Sequence, residues 1–354
     1  MHSQPLTKPQ NLQIRKYNFM ETLLLNENQL EIAVKLIRDG EVVGIPTETV
    51  YGLGADASDE NAVRKIFEAK GRPADNPLIV HLADFSETER YTSYIPELAR
   101  KLADKFCPGP FTIVLPKNDS IPMVTSGGLD TVGIRIPSHP VMHRLIELSG
   151  RPIAAPSANI SGYPSPTSAQ HVMRDMNGKI SAVVDGGQSK FGVESTVVSV
   201  ENGDTVRILR PGCVTKEMLL EVCENVIVDK AVLNGLEKGE KASSPGMKYK
   251  HYSPSADIVM VEADLEHFTE YVGNHYGDNV YALIFDGDEK NFPYRYMTYG
   301  KDGSEQAHYI FQRLREFDDI HAEKVYVRTP SLDGVGLAVY NRLIRAAGFE
   351  VIRI

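Results

Sequence analysis

The chain has 354 residues, 42% hydrophobic and 24% charged, the usage of ordinary globular proteins, which excludes disordered, collagen-like and fibrous classes. At roughly 100 to 200 residues per domain this length implies two domains, and apolar runs such as residues 111–115 fall far short of the roughly 20 residues that a membrane-spanning helix needs. A net charge of -9, with 10 basic against 17 acidic residues in 257–354, opposes indiscriminate or stable nucleic-acid binding.

Residues 1–19 carry Lys8, Arg15 and Lys16 without an acid, and have neither the apolar core of a signal peptide nor a transit-peptide composition. They read as a flexible leader, with Met20 an alternative start. From about residue 22, short β-branched runs alternate with helical periods, an α/β pattern. A helix over 28–39, with Leu30, Val34 and Ile37 on one face, stops at Gly40. A buried strand over 42–45, a helix over 59–69, and strands over 78–82 and 111–115 with helical sequence between them follow. Further strands are expected over 131–136, 153–155, 182–184, 196–200 and 206–209, and helices over 141–149 and 216–222. Successive strands without a helix between them indicate a mixed sheet. Periodicity fails over 230–256, an expected linker whose Tyr249, His251 and Tyr252 are unusual for a passive spacer. Strands over 258–261, 280–285, 324–327 and 350–352 then alternate with helices over 265–275, 305–317 and 336–347, a small Rossmann-like layer. The expected organisation is a leader (1–19), a first α/β domain (20–229), a linker (230–256) and a second domain (257–354).

Cys107, Cys213 and Cys223 show no CxxC spacing, which excludes a disulfide scaffold or cysteine zinc site and suits a reducing, cytoplasmic compartment. No GxxxxGK[ST] loop occurs. Neither Gly52-Leu53-Gly54 nor Gly334-Val335-Gly336 has the third glycine of a dinucleotide fingerprint, and the second pair reads as tight helix packing. His139 and His143 have helical metal-ligand spacing but no HExxH and no third ligand.

The strand over 42–45 runs into PTETVYGLG (46–54), where hydroxyls and a glycine turn suit a small polar ligand or form a plain turn. In KGRPADNPLIVH (70–81), Lys70 and Arg72 either stabilise a helix macrodipole or, with the turn at Asn76, bind a polyphosphate. Period-2 alternation over 131–136 puts Val132, Ile134 and Ile136 on one face and Thr131, Gly133 and Arg135 on the other. An arginine there requires an anion, either a ligand or a structural carboxylate. Ser157, Asn159 and Ser161, with Ser165 and Thr167 beyond, offer donors and acceptors to a nucleotide or are ordinary turn residues. Glu194-Ser195-Thr196 opens a strand and Arg210-Pro211-Gly212 closes another.

In this order PTETVYGLG, KGRPxxNPLIVH, VGIRIP, PSANISGxPSPT, ESTVV and RPG closely resemble the YrdC-type catalytic domain of threonylcarbamoyl-AMP synthases. SPGMKYKHYSP (244–254) followed by a small α/β domain resembles the two-domain form of that family, so the resemblance covers residues 20–354. It implies a twisted, mixed α/β sheet with a concave active-site face in the first domain. It also implies synthesis of L-threonylcarbamoyladenylate and pyrophosphate from L-threonine, bicarbonate or CO2, and ATP with Mg²⁺. This nucleotidyltransferase step leads to N6-threonylcarbamoyladenosine (t6A) at position 37 of tRNAs that read codons beginning with A, completed by a separate transferase. By the same resemblance Lys70 and Arg72 are the catalytic basic pair at the ATP phosphates, and Asn76, Thr131, Ser157, Asn159, Ser165 and Arg210 lie on the nucleotide side. Thr47 or Thr49, His81, Arg135, Ala155 through its backbone, and Ser195 contact threonine, while Tyr252 closes over the nucleotide.

The chemistry agrees, because displacement at the α-phosphorus needs alignment and charge neutralisation more than a covalent nucleophile. Mg²⁺ joins such reactions with few dedicated protein ligands. Residues 244–254 are expected to form a lid that keeps water from a hydrolysable intermediate, with the second domain as its anchor. A hydrogenase-maturation carbamoyltransferase would need cysteine pairs that are missing here. The alternative of an RNA-binding YrdC-type factor is opposed by the net charge and by the lack of an Arg/Lys tract or an aromatic platform. A catalytically dead relative is opposed by the intact motifs.

Overall fold

Among the described residues eleven strands assemble into one mixed sheet and five into a second, all-parallel sheet. The computed structural model describes residues 21–235 and 251–354. The first sheet contains β1 (Leu23–Leu25), β2 (Val43–Ile45), β3 (Gly52–Asp56), β4 (Ile79–His81), β5 (Phe111–Pro116), β6 (Thr131–Arg135), β7 (Ile153–Ala154), β8 (Ala182–Val184), β9 (Thr196–Glu201), β10 (Thr205–Arg210) and β11 (Asn225–Val228). Its helices are α1 (Leu30–Arg38), α2 (Glu60–Lys70), α3 (Glu97–Phe106), α4 (Pro140–Ser149), α5 (Ala169–Met176), α6 (Lys216–Leu220) and α7 (Ala231–Asn234). The strand order is β1-β8-β2-β3-β7-β4-β6-β5-β9-β10-β11. Five neighbouring pairs are parallel and five antiparallel, the mixed sheet that helix-less successions of strands require.

Two cores sandwich this sheet. Leu30, Val34 and Ile37 of α1 pack with Val141, Leu145 and Ile146 of α4 on Val43, Ile45 and Val184. On another face Val63 and Ile66 of α2, Leu102 of α3 and Val172 of α5 cover Leu53, Val80, Ile113, Val132 and Ile134. The polar face of β4 and β6 points away from that second core and becomes the floor of the site.

β3 departs from the expected glycine turn: Gly52 to Asp56 form a fully buried strand antiparallel to β2. The glycines serve close packing, since a Cβ on Gly54 would sit 2.2 Å from Ile45 Cδ1 and one on Gly52 would sit 3.1 Å from the Ala155 Cβ. The expected pattern has no counterpart of β1, α5 or β11. β1 and β11 are edge strands with exposed apolar residues such as Leu24 and Ile227, so they lack the burial pattern that marks interior strands. Helix α7 falls in the segment expected as linker. His139 caps α4, accepting from the Val141 N–H, and His143 lies 3.7 Å from Glu147; among the described residues no His/Cys/Asp/Glu cluster could hold a metal.

The second sheet runs β14-β13-β15-β12-β16, formed by β12 (Asp257–Glu262), β13 (Val280–Ile284), β14 (Tyr296–Thr298), β15 (Lys324–Arg328) and β16 (Val351–Arg353), with α8 (Leu265–Asn274), α9 (Gly303–Asp319) and α10 (Gly336–Ala346). Alternation along β12 sends Val259 and Val261 to Phe268 and Val272 of α8, and Ile258 and Met260 to the α9/α10 side. Of the Gly334/Gly336 pair only Gly336 packs tightly: a Cβ on it would meet Ser331 O at 2.4 Å, and one on Gly303 would meet Gly336 N at 2.7 Å, whereas Gly334 has open space and a φ of 54°, the left-handed turn conformation that glycine adopts without a Cβ penalty. The α9/α10 core takes in Tyr252 of the expected linker and continues into the first domain through Val50 and Val193. Among the described residues no helix is long and apolar enough to cross a membrane.

Candidate active site

Helix α2 ends at Gly71, whose φ of 61° is the left-handed conformation that glycine adopts without a Cβ penalty. The Gly71 N–H donates to Glu68 O and the Arg72 N–H to Phe67 O, so the cap holds Lys70 on the last turn and Arg72 just beyond it. Lys70 turns inward, 2% exposed, and its Nζ donates to the carbonyls of Ser157 and of Asn159, the latter at 2.8 Å. A surface cation interacting with a helix dipole would not be buried in this way. Burial, followed by the charge of Arg72, pushes the Lys70 ammonium well below its usual range.

The turn that Lys70 supports is fastened elsewhere too. Leu53 N donates to Pro156 O and Ala158 N to Tyr51 O, both at 2.8 Å, and Ser161 N donates to Lys70 O at 3.0 Å. Asn159 Nδ2 donates to Ile160 O and Tyr163 O, at 2.8 and 2.9 Å. That leaves Asn159 Oδ1 buried without a partner, an acceptor available to a ligand. The Ala155 N–H is taken by Ile79 O at 3.1 Å.

His81 and Arg135 face each other across the parallel β4/β6 register. Arg135 Nη2 donates to Glu48 Oε1 at 2.7 Å, and both side chains are 5% exposed. The carboxylate partner is therefore real, but Arg135 Nε has no partner and the residue still lines the cleft. Burial raises the Glu48 carboxyl, but Arg135 outweighs it and the net shift is downward. Burial, then the charge of Arg135, lowers the His81 imidazole to about 3, so it is neutral at physiological pH. Thr47 and Thr49 share a 2.8 Å hydroxyl contact, and Thr47 Oγ1 donates to Val50 O at 2.6 Å.

One cleft gathers Thr47, Thr49, Lys70, Arg72, His81, Arg135, Ala155, Ser157, Asn159, Arg210 and Tyr252, residues that lie far apart in sequence. Four of the expected residues are not in its wall. Ser165 and Ser195 sit one layer behind: Ser165 Oγ donates to Glu194 Oε1 at 2.6 Å, and Ser195 Oγ accepts from Arg210 Nη2 at 3.0 Å. Thr131 faces a separate small cavity with Ile79, Gly133 and Val197. Asn76 is fully buried with neither Oδ1 nor Nδ2 partnered.

Glu194 and His251, to which the sequence pattern assigns no place in the wall, both line it. Burial raises the Glu194 carboxyl, but Arg342 and Arg210 hold it at about 2. Burial and Arg72 lower His251 to about 3. Tyr252, 4% exposed with φ at 65°, packs 5.1 Å from the Phe311 ring and 5.7 Å from the Arg342 guanidinium. Of the expected lid, residues 244–250 lie outside the described residues; the next residue after Tyr252 is tied to the site by Ser253 N donating to Gly162 O at 2.9 Å. Among the described residues the wall thus carries Lys70, Arg72, Arg135 and Arg210 against the Glu194 carboxylate; with Arg135 paired to Glu48 and Glu194 paired to Arg342, the remaining charge is an electrostatic bias toward an anion.

These features define a two-domain α/β protein with a cleft built for a small anionic ligand. A Sua5/YciO/YrdC family profile, described as telomere recombination, matches residues 35–212, and a profile described as threonylcarbamoyl-AMP synthase, C-terminal domain, matches residues 214–348. The chain is 44% identical to the threonylcarbamoyl-AMP synthase of Pyrococcus abyssi over 339 residues, covering 93% of this chain and 97% of that protein. It is also 44% identical to that of Bacillus subtilis over 340 residues, covering 94% and 97%. A crystal structure of P. abyssi Sua5 complexed with L-threonine matches with a TM-score of 0.86 at 43% identity, covering 94% of this chain and 100% of that one. The chain belongs to the threonylcarbamoyl-AMP synthase family, in its two-domain form.

Proposed function

We propose that the protein condenses L-threonine, bicarbonate or CO2, and ATP into threonylcarbamoyl-AMP and pyrophosphate, for t6A modification of tRNAs that read codons beginning with A. The observation that carries this reading is the cleft wall, in which Lys70, Arg72, Arg210 and the Glu48-paired Arg135 stand beside hydroxyls and an unpartnered amide oxygen, with the wall carboxylate Glu194 paired to Arg342, in a chain of this family. The threonine amine adds to CO2 with loss of a proton, and a carbamate oxygen then attacks the α-phosphorus while pyrophosphate departs. Lys70 and Arg72 neutralise the polyphosphate, with Asn76, Thr131, Ser157, Asn159, Ser165 and Arg210 on the nucleotide side. Arg135 binds the threonine carboxylate, with Thr47, Thr49, His81, Ser195 and the Ala155 backbone around the amino acid. Burial and the neighbouring arginines lower His81 and His251 to about 3, so both are neutral at physiological pH and the positive charge of the cleft comes from its lysine and arginines.

Mg²⁺ fits as an ion that arrives on the triphosphate, since such ions keep water and substrate phosphates as ligands. When bound it would spread phosphate charge, and the Ser157 hydroxyl and the unpartnered Asn159 Oδ1 are wall oxygens that could hold it. Tyr252 and His251 close one side of the cleft and limit hydrolysis of the product, which passes to a separate cytoplasmic transferase. The test is incubation of the purified protein with ATP, labelled bicarbonate and each amino acid in turn. Pyrophosphate and a labelled adenylate should form with threonine, whereas ADP and phosphate would place the protein in another reaction class.

A further inference from the structure

Among the described residues, two arginines of the second domain reach into the first: Arg342 ends on Glu194 in the cleft wall, and Arg315 on the loop at Pro164. Arg342 of α10 is fully buried. It donates Nε to Glu194 Oε2 at 2.8 Å and Nη1 to Pro211 O at 3.0 Å. The other Glu194 oxygen accepts from Ser165. Ser195, the next residue, holds Arg210 through its carbonyl at 3.1 Å and its hydroxyl at 3.0 Å. Segments 194–196 and 210–212 lie so close that a Cβ on Gly212 would sit 2.4 Å from Thr196 N. Arg315 of α9 acts alike on the neighbouring loop, donating to Pro164 O at 2.6 Å while pairing with Asp175.

A domain that only anchors a lid requires none of these contacts. A buried carboxylate, however, is costly unless it is paired, and Arg342 supplies the direct ion pair that keeps Glu194 charged. A charged Glu194 obliges Ser165 to spend its single O–H on it, which fixes the hydroxyl rotor. The same pair pins the chain at Ser195, and Ser195 in turn orients Arg210.

We propose that Arg342 is a positioning residue of the active site: by holding the Glu194 carboxylate it sets Ser165 and the Ser195–Arg210 pair for the nucleotide, so that the second domain completes the site. The inference rests on the reading of the cleft given above. It is tested on the full chain with Arg342→Met, Arg342→Lys and Glu194→Gln, measuring melting temperature, ATP affinity by calorimetry, and kcat and KM for ATP and threonine. Arg342→Met should lose roughly 10- to 100-fold in kcat/KM for ATP, with a smaller change for threonine. Glu194→Gln should reproduce the defect, and Arg342→Lys should recover part of it. A purely structural role predicts a lower melting temperature with ATP affinity and kcat/KM per folded molecule within about twofold of wild type. That result in folded Arg342→Met, or in Glu194→Gln should Arg342→Met not fold, overturns the proposal. ATP calorimetry needs no turnover, so an inactive wild type would overturn the functional reading while the comparison of ATP affinities still decides the role of Arg342.

Discussion

Arg135 serves both Glu48 and the cleft, and two substitutions separate these roles. In Arg135→Ala the Glu48 carboxylate, 5% exposed, loses the cation 2.7 Å away. Breaking a buried pair from one side costs about 3–5 kcal/mol. At about 2–4 °C per kcal/mol for a domain of 150–250 residues, the melting temperature should fall by about 6–20 °C. The double variant Arg135→Met/Glu48→Gln removes both charges and should recover most of that loss. Threonine binding should not recover, because neither variant has the guanidinium. A charge-assisted hydrogen bond contributes about 1.5–3 kcal/mol, so affinity should fall roughly 10- to 150-fold in both. Scanning calorimetry gives the first quantity and isothermal titration with threonine, well below the lower melting point, gives the second. A double variant that is stable and binds threonine as wild type does would refute the reasoning, leaving Glu48 as the sole reason for Arg135.

Lys70→Ala should abolish turnover and loosen the turn whose Ser157 and Asn159 carbonyls it holds, whereas a macrodipole role predicts near-normal turnover and only about 0.3–1 kcal/mol of lost stability. Arg72→Ala, at a half-buried position, should fold normally and raise the KM for ATP; an unchanged KM counts against its phosphate role. Tyr252→Ala removes a ring packed on Phe311, so it should lower stability by about 3–5 kcal/mol and raise the yield of AMP relative to adenylate. An unchanged product ratio makes Tyr252 a core residue only. The depressed pKa values of His81 and His251 also set a pH dependence. Between about pH 6.5 and 3 the unfolded chain binds protons that the folded imidazoles refuse, so stability should fall as pH drops through that window, by up to about 1.4 kcal/mol per pH unit for each group. His81→Asn should flatten part of this slope in thermal melts, and an identical slope would show that His81 is not responsible.

Local chemistry was legible wherever its cause was local. Period-2 alternation placed Val132 and Ile134 in the core and Arg135 opposite them, because pleating dictates side-chain direction whatever the partner strand. The Lys70-Gly71-Arg72 triplet could be read as a helix end because the left-handed cap is a property of glycine itself. β3 reads as a turn in sequence because its glycines answer to Ile45 on β2 and Ala155 just beyond β7, and glycine carries no local mark that tells a turn from a close approach. The partners of the charges were equally invisible. Glu48 meets Arg135 across 87 residues and Glu194 meets Arg342 across 148, while Lys70 finds its acceptors 87 and 89 positions away. The sequence by itself determined which side chains can neutralise phosphate or carboxylate, which faces of strands and helices they occupy, and that two α/β units are present. Only the tertiary structure decided which cation is already paired, that Ser165 and Ser195 stand behind the wall, and that the second domain reaches the first through buried arginines. These outcomes depend on burial and on distances between segments remote along the chain, and the desolvation that makes such contacts matter exists only once the sheets have packed.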